Sequence, residues 1–101
     1  MTNAQTLIGT RELSLSDGGK VVVSLYQPVM FAPHEFGCAF EVSGLKRAEA
    51  GRAIGGDALQ ALQLALVRIG IELSKSDEGQ QKRLMWNGDP DLGFPSPDSL
   101  R

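Results

Sequence analysis

Apolar and polar residues alternate loosely from Leu7 to Leu15 and break at Ser16-Asp17-Gly18-Gly19, where glycine takes positive φ without steric cost. Lys20 to Tyr26 follows, rich in β-branched and aromatic residues, so the two runs predict a β-hairpin with Leu13, Leu15, Val21, Val23 and Leu25 on one face. Pro28 cannot donate to a ladder and ends the second strand, and Val29 to Glu35, bounded by Pro33, is expected to be irregular. Phe36, Cys38, Phe40 and Val42 then alternate with Gly37, Ala39, Glu41 and Ser43, a third strand with one face in the core. Residues 44–56 show no clear period and are expected to be a long connection, the alternative being a brief pairing of Ala48 to Ile54 with the sheet.

Asp57 is a suitable N-cap, with Gln60 placed to complete a capping-box-like pair, and a helix is predicted from about Ala58 to Ser74. Leu59, Leu62, Leu66, Ile69 and Leu73 recur at steps of three and four, the stripe expected to cover the sheet, with Ala58, Ala61 and Ala65 beside it. A second stripe of Leu64, Val67 and Ile71 lies more than a quarter-turn away, beyond the reach of the same sheet. Arg83 to Trp86 is a short apolar run that predicts a returning strand, and Asn87-Gly88 marks a turn.

The element order predicts an α+β fold of two layers. An antiparallel sheet, a three-strand meander plus a short C-terminal strand, packs against one long α-helix. With 101 residues, 42% hydrophobic and 22% charged, the chain fits one domain over 1–101, ending in a loosely ordered tail from about residue 95. A formal charge of −2 supplies no field for nucleic acid or anionic lipid. The apolar stretch is interrupted by Gln63, Arg68 and Glu72, which argues against a membrane span, and the first residues lack a secretory pattern. The expected address is the cytoplasm.

Candidate chemistry is sparse. A single cysteine and a single histidine exclude an intrachain disulfide and multi-cysteine or His-rich metal sites. His34 and Glu35 are adjacent, and adjacent residues on an extended chain point apart, so they form no dyad by adjacency. Cys38 shares register with Phe36, Phe40 and Val42, where a thiol behaves as a small buried hydrophobe. The glycines before Asp57 precede a helix start, yet Asp57 itself fills the anion position and no nucleotide fingerprint is present. Asp89, Asp91 and Asp98 lack the calcium-loop spacing. No metal and no cofactor is expected.

The segments Phe36-Gly37-Cys38-Ala39-Phe40-Glu41-Val42-Ser43-Gly44, Gly56-Asp57-Ala58-Leu59-Gln60-Ala61-Leu62-Gln63-Leu64-Ala65-Leu66 and Leu84-Met85-Trp86 together resemble a family of small bacterial domains of unknown function. The resemblance covers Val22 to Phe94. It implies a compact bacterial domain and no particular reaction, and it carries no functional residues.

The expectation is therefore a non-enzymatic protein-interaction module, self-associating as a homodimer or binding another protein, with no nucleic acid and no membrane as partner. Leu64, Val67 and Ile71 are the expected contact surface, Leu64 rather covered by the C-terminal segment and Val67 with Ile71 by a second copy. The rival expectation is a small-molecule or catalytic pocket between the helix start and Pro28–Glu35, using Tyr26, His34 and Trp86.

Overall fold

The structure, a computed structural model, describes residues 5–100. The hairpin forms as its residues dictate: β1 (Leu7–Leu15) and β2 (Lys20–Tyr26) pair antiparallel, Leu13 opposite Val21 and Arg11 opposite Val23. Pro28 interrupts the second strand as expected, but the chain resumes as β3 (Val29–Ala32) and turns at Pro33-His34 into β4 (Glu35–Ser43). β2 and β3 pair with successive parts of the same edge of β4, Leu25 facing Phe40 and Met30 facing Phe36. They act as one strand bent at Gln27–Pro28.

The segment expected to be a long connection contains β5 (Glu49–Gly55), which lines the other edge of β4 from Val42 to Phe36. A short β6 (Leu84–Met85) adds to β1 at Ser14 and Leu15. The antiparallel sheet thus has six strands rather than a meander plus one, with β4 flanked by β5 and by β2–β3. The two missed strands have a common cause. Val29–Ala32 is bracketed by prolines, and Glu49–Gly55 turns only small or polar residues inward, so neither shows an apolar period.

Helix α1 (Ala58–Lys75) covers one face of the sheet. Asp57 caps it by accepting the Gln60 N–H at 2.8 Å, and the Gln60 side chain accepts the Gly56 N–H at 2.6 Å. The stripe that meets the sheet is rotated from the expected one. Ala61, Ala65, Ile69 and Leu73 are fully buried, with Leu62 and Leu66 half-buried beside them, and Leu59 is 75% exposed. The small residues carry the contact because helix and β5 approach closely. A Cβ on Gly55 would collide with the Ala61 backbone, and Ala53 is buried between them. Leucines at these positions would hold the layers apart.

The core is Leu13, Val21, Val23, Cys38, Phe40 and Val42 from the sheet against Ala61, Ala65, Ile69 and Leu73, closed by Leu45 and Leu84. A short helix α2 (Asp77–Gln80) follows α1, capped by Ser76, whose hydroxyl accepts the Gly79 N–H at 3.0 Å. The C-terminal segment returns across α1, and Gly70 leaves room for Phe94. Of the expected loose tail, residues 97–100 form a 3-10 turn and Arg101 lies outside the described residues.

Candidate functional site

The second helix stripe does not survive as a surface. Val67 is only 6% exposed, and it shares a shallow cleft with Phe94, Pro95 and Pro97 of the returning segment. The chain covers this position itself, which costs no association entropy. Leu64 is half-buried and packs against the core, and Ile71 is exposed at the rim of the same cleft. The correction concerns Val67 above all: a side chain buried within its own chain offers nothing to a partner.

The three residues of the expected pocket are not brought together. Tyr26 closes β2, where its hydroxyl donates to Glu41 Oε1 at 3.0 Å, and that bond holds the phenol above its ordinary pKa. His34 sits exposed in the β3–β4 turn at φ +61°, a left-handed position. Trp86 follows β6, across β1 from the other two, with the Arg11 guanidinium 3.8 Å from its ring centroid. The same guanidinium lies 4.8 Å from the Phe94 ring and donates to the Leu92 carbonyl at 2.9 Å. Trp86 therefore anchors the C-terminal segment to β1.

Cys38 is fully buried, its thiol donating to the Tyr26 carbonyl at 3.2 Å, and burial raises its pKa. A thiol held protonated is a poor nucleophile. Among the described residues, no group of three His, Cys, Asp or Glu side chains is placed to hold a metal ion. No helix there is long and apolar enough to cross a membrane.

What the fold concentrates is apolar surface. Eight large apolar side chains are exposed among the described residues, and seven of them share one end of the sheet. This end holds the start of β1 (Leu7, Ile8), β3 (Val29, Met30, Phe31), the end of β5 (Ile54) and the start of α1 (Leu59). Pairing explains the grouping. Gly37 of β4 stands between Val29 of β3 and Ile54 of β5, while Leu7 stands beside Tyr26.

Apart from the half-buried Val22, the face of the sheet away from α1 is otherwise polar or small: Glu12, Ser24, Ala39, Glu41 and Ser43. Arg52 crosses this face. Its stem lies where a Cβ on Gly37 would be, 2.6 Å from Arg52 Cδ, and its guanidinium reaches 4.6 Å from the Phe31 ring centroid. Arg52 takes no ion pair among the described residues, and neither does Glu35. Val29 and Met30 are each 59% exposed. Polar patterning made the hairpin visible in the sequence, but nothing there placed Leu7, Phe31, Ile54 and Leu59 at a common end. Recognising β3 and β5 would have done so.

Fold and surface define a small two-layer α+β domain whose sheet is closed by helices at one end and left apolar at the other. Over residues 9–96 the chain matches the family described as a domain of unknown function, DUF6968, and it belongs to that family. No curated protein and no solved structure matches it.

Proposed function

We propose that this chain is a non-enzymatic protein-interaction module of the bacterial cytoplasm, and that it binds through the apolar end of its sheet. One observation carries the reading: seven of the eight exposed large apolar side chains gather there. Single exposed apolar residues are ordinary, but seven at one end of a sheet leave solvation free energy unrealised until something covers them. The candidate site side chains support the same reading, since His34 and Cys38 stand apart, Trp86 is stacked on Arg11 and Tyr26 is engaged by Glu41. A photoreactive residue placed at position 31 should crosslink to protein in source cells far more than one at the exposed Gln63 position of α1. Equal labelling from the two positions would overturn the reading.

A further inference from the structure

We infer that the apolar end seats a second copy of this chain, packed about a two-fold axis that brings the two β3 strands side by side; the inference rests on the interaction reading above. Three observations select this occupant. The first is grouping. Seven large apolar side chains, each 43–75% exposed, lie at this one end, Leu7, Val29 and Ile54 on the sheet face away from α1 and Ile8 and Leu59 on the helix side, where an ordinary monomer leaves exposed apolar residues scattered singly.

The second is charge. The surface carries a cation, Arg52, and carboxylates, Glu35 and the helix-capping Asp57, that take no ion pair among the described residues. A surface holding both signs is complementary to its own copy, because a two-fold axis that carries Arg52 to the partner's Glu35 makes the contact twice. A strongly one-signed rim would instead require a different protein.

The third is the strand edge. β1 is paired along only part of its second edge, and β5 and β3 have no strand on theirs among the described residues. β1 carries Arg11 and Glu12, and β5 carries Glu49 and Arg52, charges of the kind that guard an edge against pairing. β3 reads Val-Met-Phe-Ala, with no charge and no proline within it. Two copies of β3 can lie antiparallel with apolar side chains meeting on both faces, continuing one sheet into the next.

The test uses the full chain. Light scattering should find wild type dimeric at high concentration, and Arg52→Glu or Glu35→Arg should each weaken the dimer about tenfold or more. The double reversal should restore it. Unchanged far-ultraviolet circular dichroism, with a thermal midpoint at low concentration equal to that of wild type, keeps each variant interpretable. Met30→Cys is a second route, because the native Cys38 is buried and the new thiol should form an intermolecular disulfide under mild oxidation, faster than Gln63→Cys. Wild type monomeric up to about 1 mM, or no advantage of Met30→Cys over Gln63→Cys, overturns the self-pairing. If the monomeric chain still crosslinks another protein from position 31, only the choice of occupant falls. If position 31 is silent as well, the interaction reading falls with it.

Discussion

The two ends of this sheet are made of the same four long strands and are finished in opposite ways. At one end the β1–β2 turn, the β4–β5 loop, the last turn of α1, α2 and β6 converge, and Leu45, Leu73 and Leu84 are buried among them. At the other, β3 and the start of α1 leave Val29, Met30, Phe31, Ile54 and Leu59 in water. Helix placement sets the difference. α1 begins just after Gly55, so its first turn, with Leu59, has no sheet residues left to cover. Stability accounts for the apolar residues of the closed end; it does not account for those of the open end.

Paired substitutions across the two ends can break this comparison. Phe40 is 1% exposed and central to the core, so Phe40→Ala should cost about 3–5 kcal/mol in urea unfolding. Phe31→Ala, at low protein concentration, should cost under about 0.5 kcal/mol, and its cost should grow with concentration if the patch is an interface. A concentration-independent loss of several kcal/mol from Phe31→Ala would make the open end part of the folding core, and the contrast would be gone.

Glycines give the next contrast. A Cβ at Gly79 would collide with the Leu73 carbonyl oxygen, so Gly79→Ala must shift α2 from the end of α1, at about 1–3 kcal/mol. At Gly9, by the open end, a Cβ meets nothing within 4 Å. Gly9→Ala should be neutral or stabilise by about 0.4–1 kcal/mol, through the unfolded chain's lost freedom. Thermal midpoints of the two variants check the sign: a drop for Gly9→Ala as large as for Gly79→Ala would place a partner segment against β1.

These contrasts track how legible each end was. The hairpin, β4, the returning strand and the capped helix all follow from period and turn chemistry, because their apolar residues recur at two or at three and four. The stripe facing the sheet was misplaced because Leu59 and Leu62 outrank Ala61 and Ala65 in hydrophobicity, whereas close approach to β5 needs the smaller side chains. The clue was available: Gly51, Ala53 and Gly55 are small at a period of two, which matches a strand pressed under a helix. The burial of Val67 is invisible in the sequence because cover from the Phe94–Pro97 segment is a tertiary fact with no local signature. The interaction surface was illegible for the same reason, since its members come from four separate elements.

The last contrast concerns the charge that fastens the closed end. Glu78 is 4% exposed, and its carboxylate accepts the Lys46 backbone N–H at 2.6 Å, tying the β4–β5 loop to α2. That hydrogen bond is the main reason its pKa lies below the ordinary glutamate value; the nearby Arg83 and Lys46 charges assist, and burial opposes. A carboxyl depressed in the folded state binds its proton more readily when unfolded. Its contribution is therefore complete above the ordinary value of about 4.5 and is lost as pH falls through the depressed folded value. Glu78→Gln keeps the shape and removes the charge, so it should cost about 1–2 kcal/mol at pH 7. Every other carboxylate titrates in both proteins and cancels in the difference. The gap between wild type and variant should then be flat from pH 8 to about 5 and narrow below about pH 4.5. Met30→Gln, the matching change at the open end, should show no such dependence. A Glu78 gap that stays constant down to pH 3 would mean that the side chain acts through its shape and neutral hydrogen bonding rather than its charge, and a gap near zero at pH 7 would leave the closed end to the apolar packing of Leu45 and Leu84.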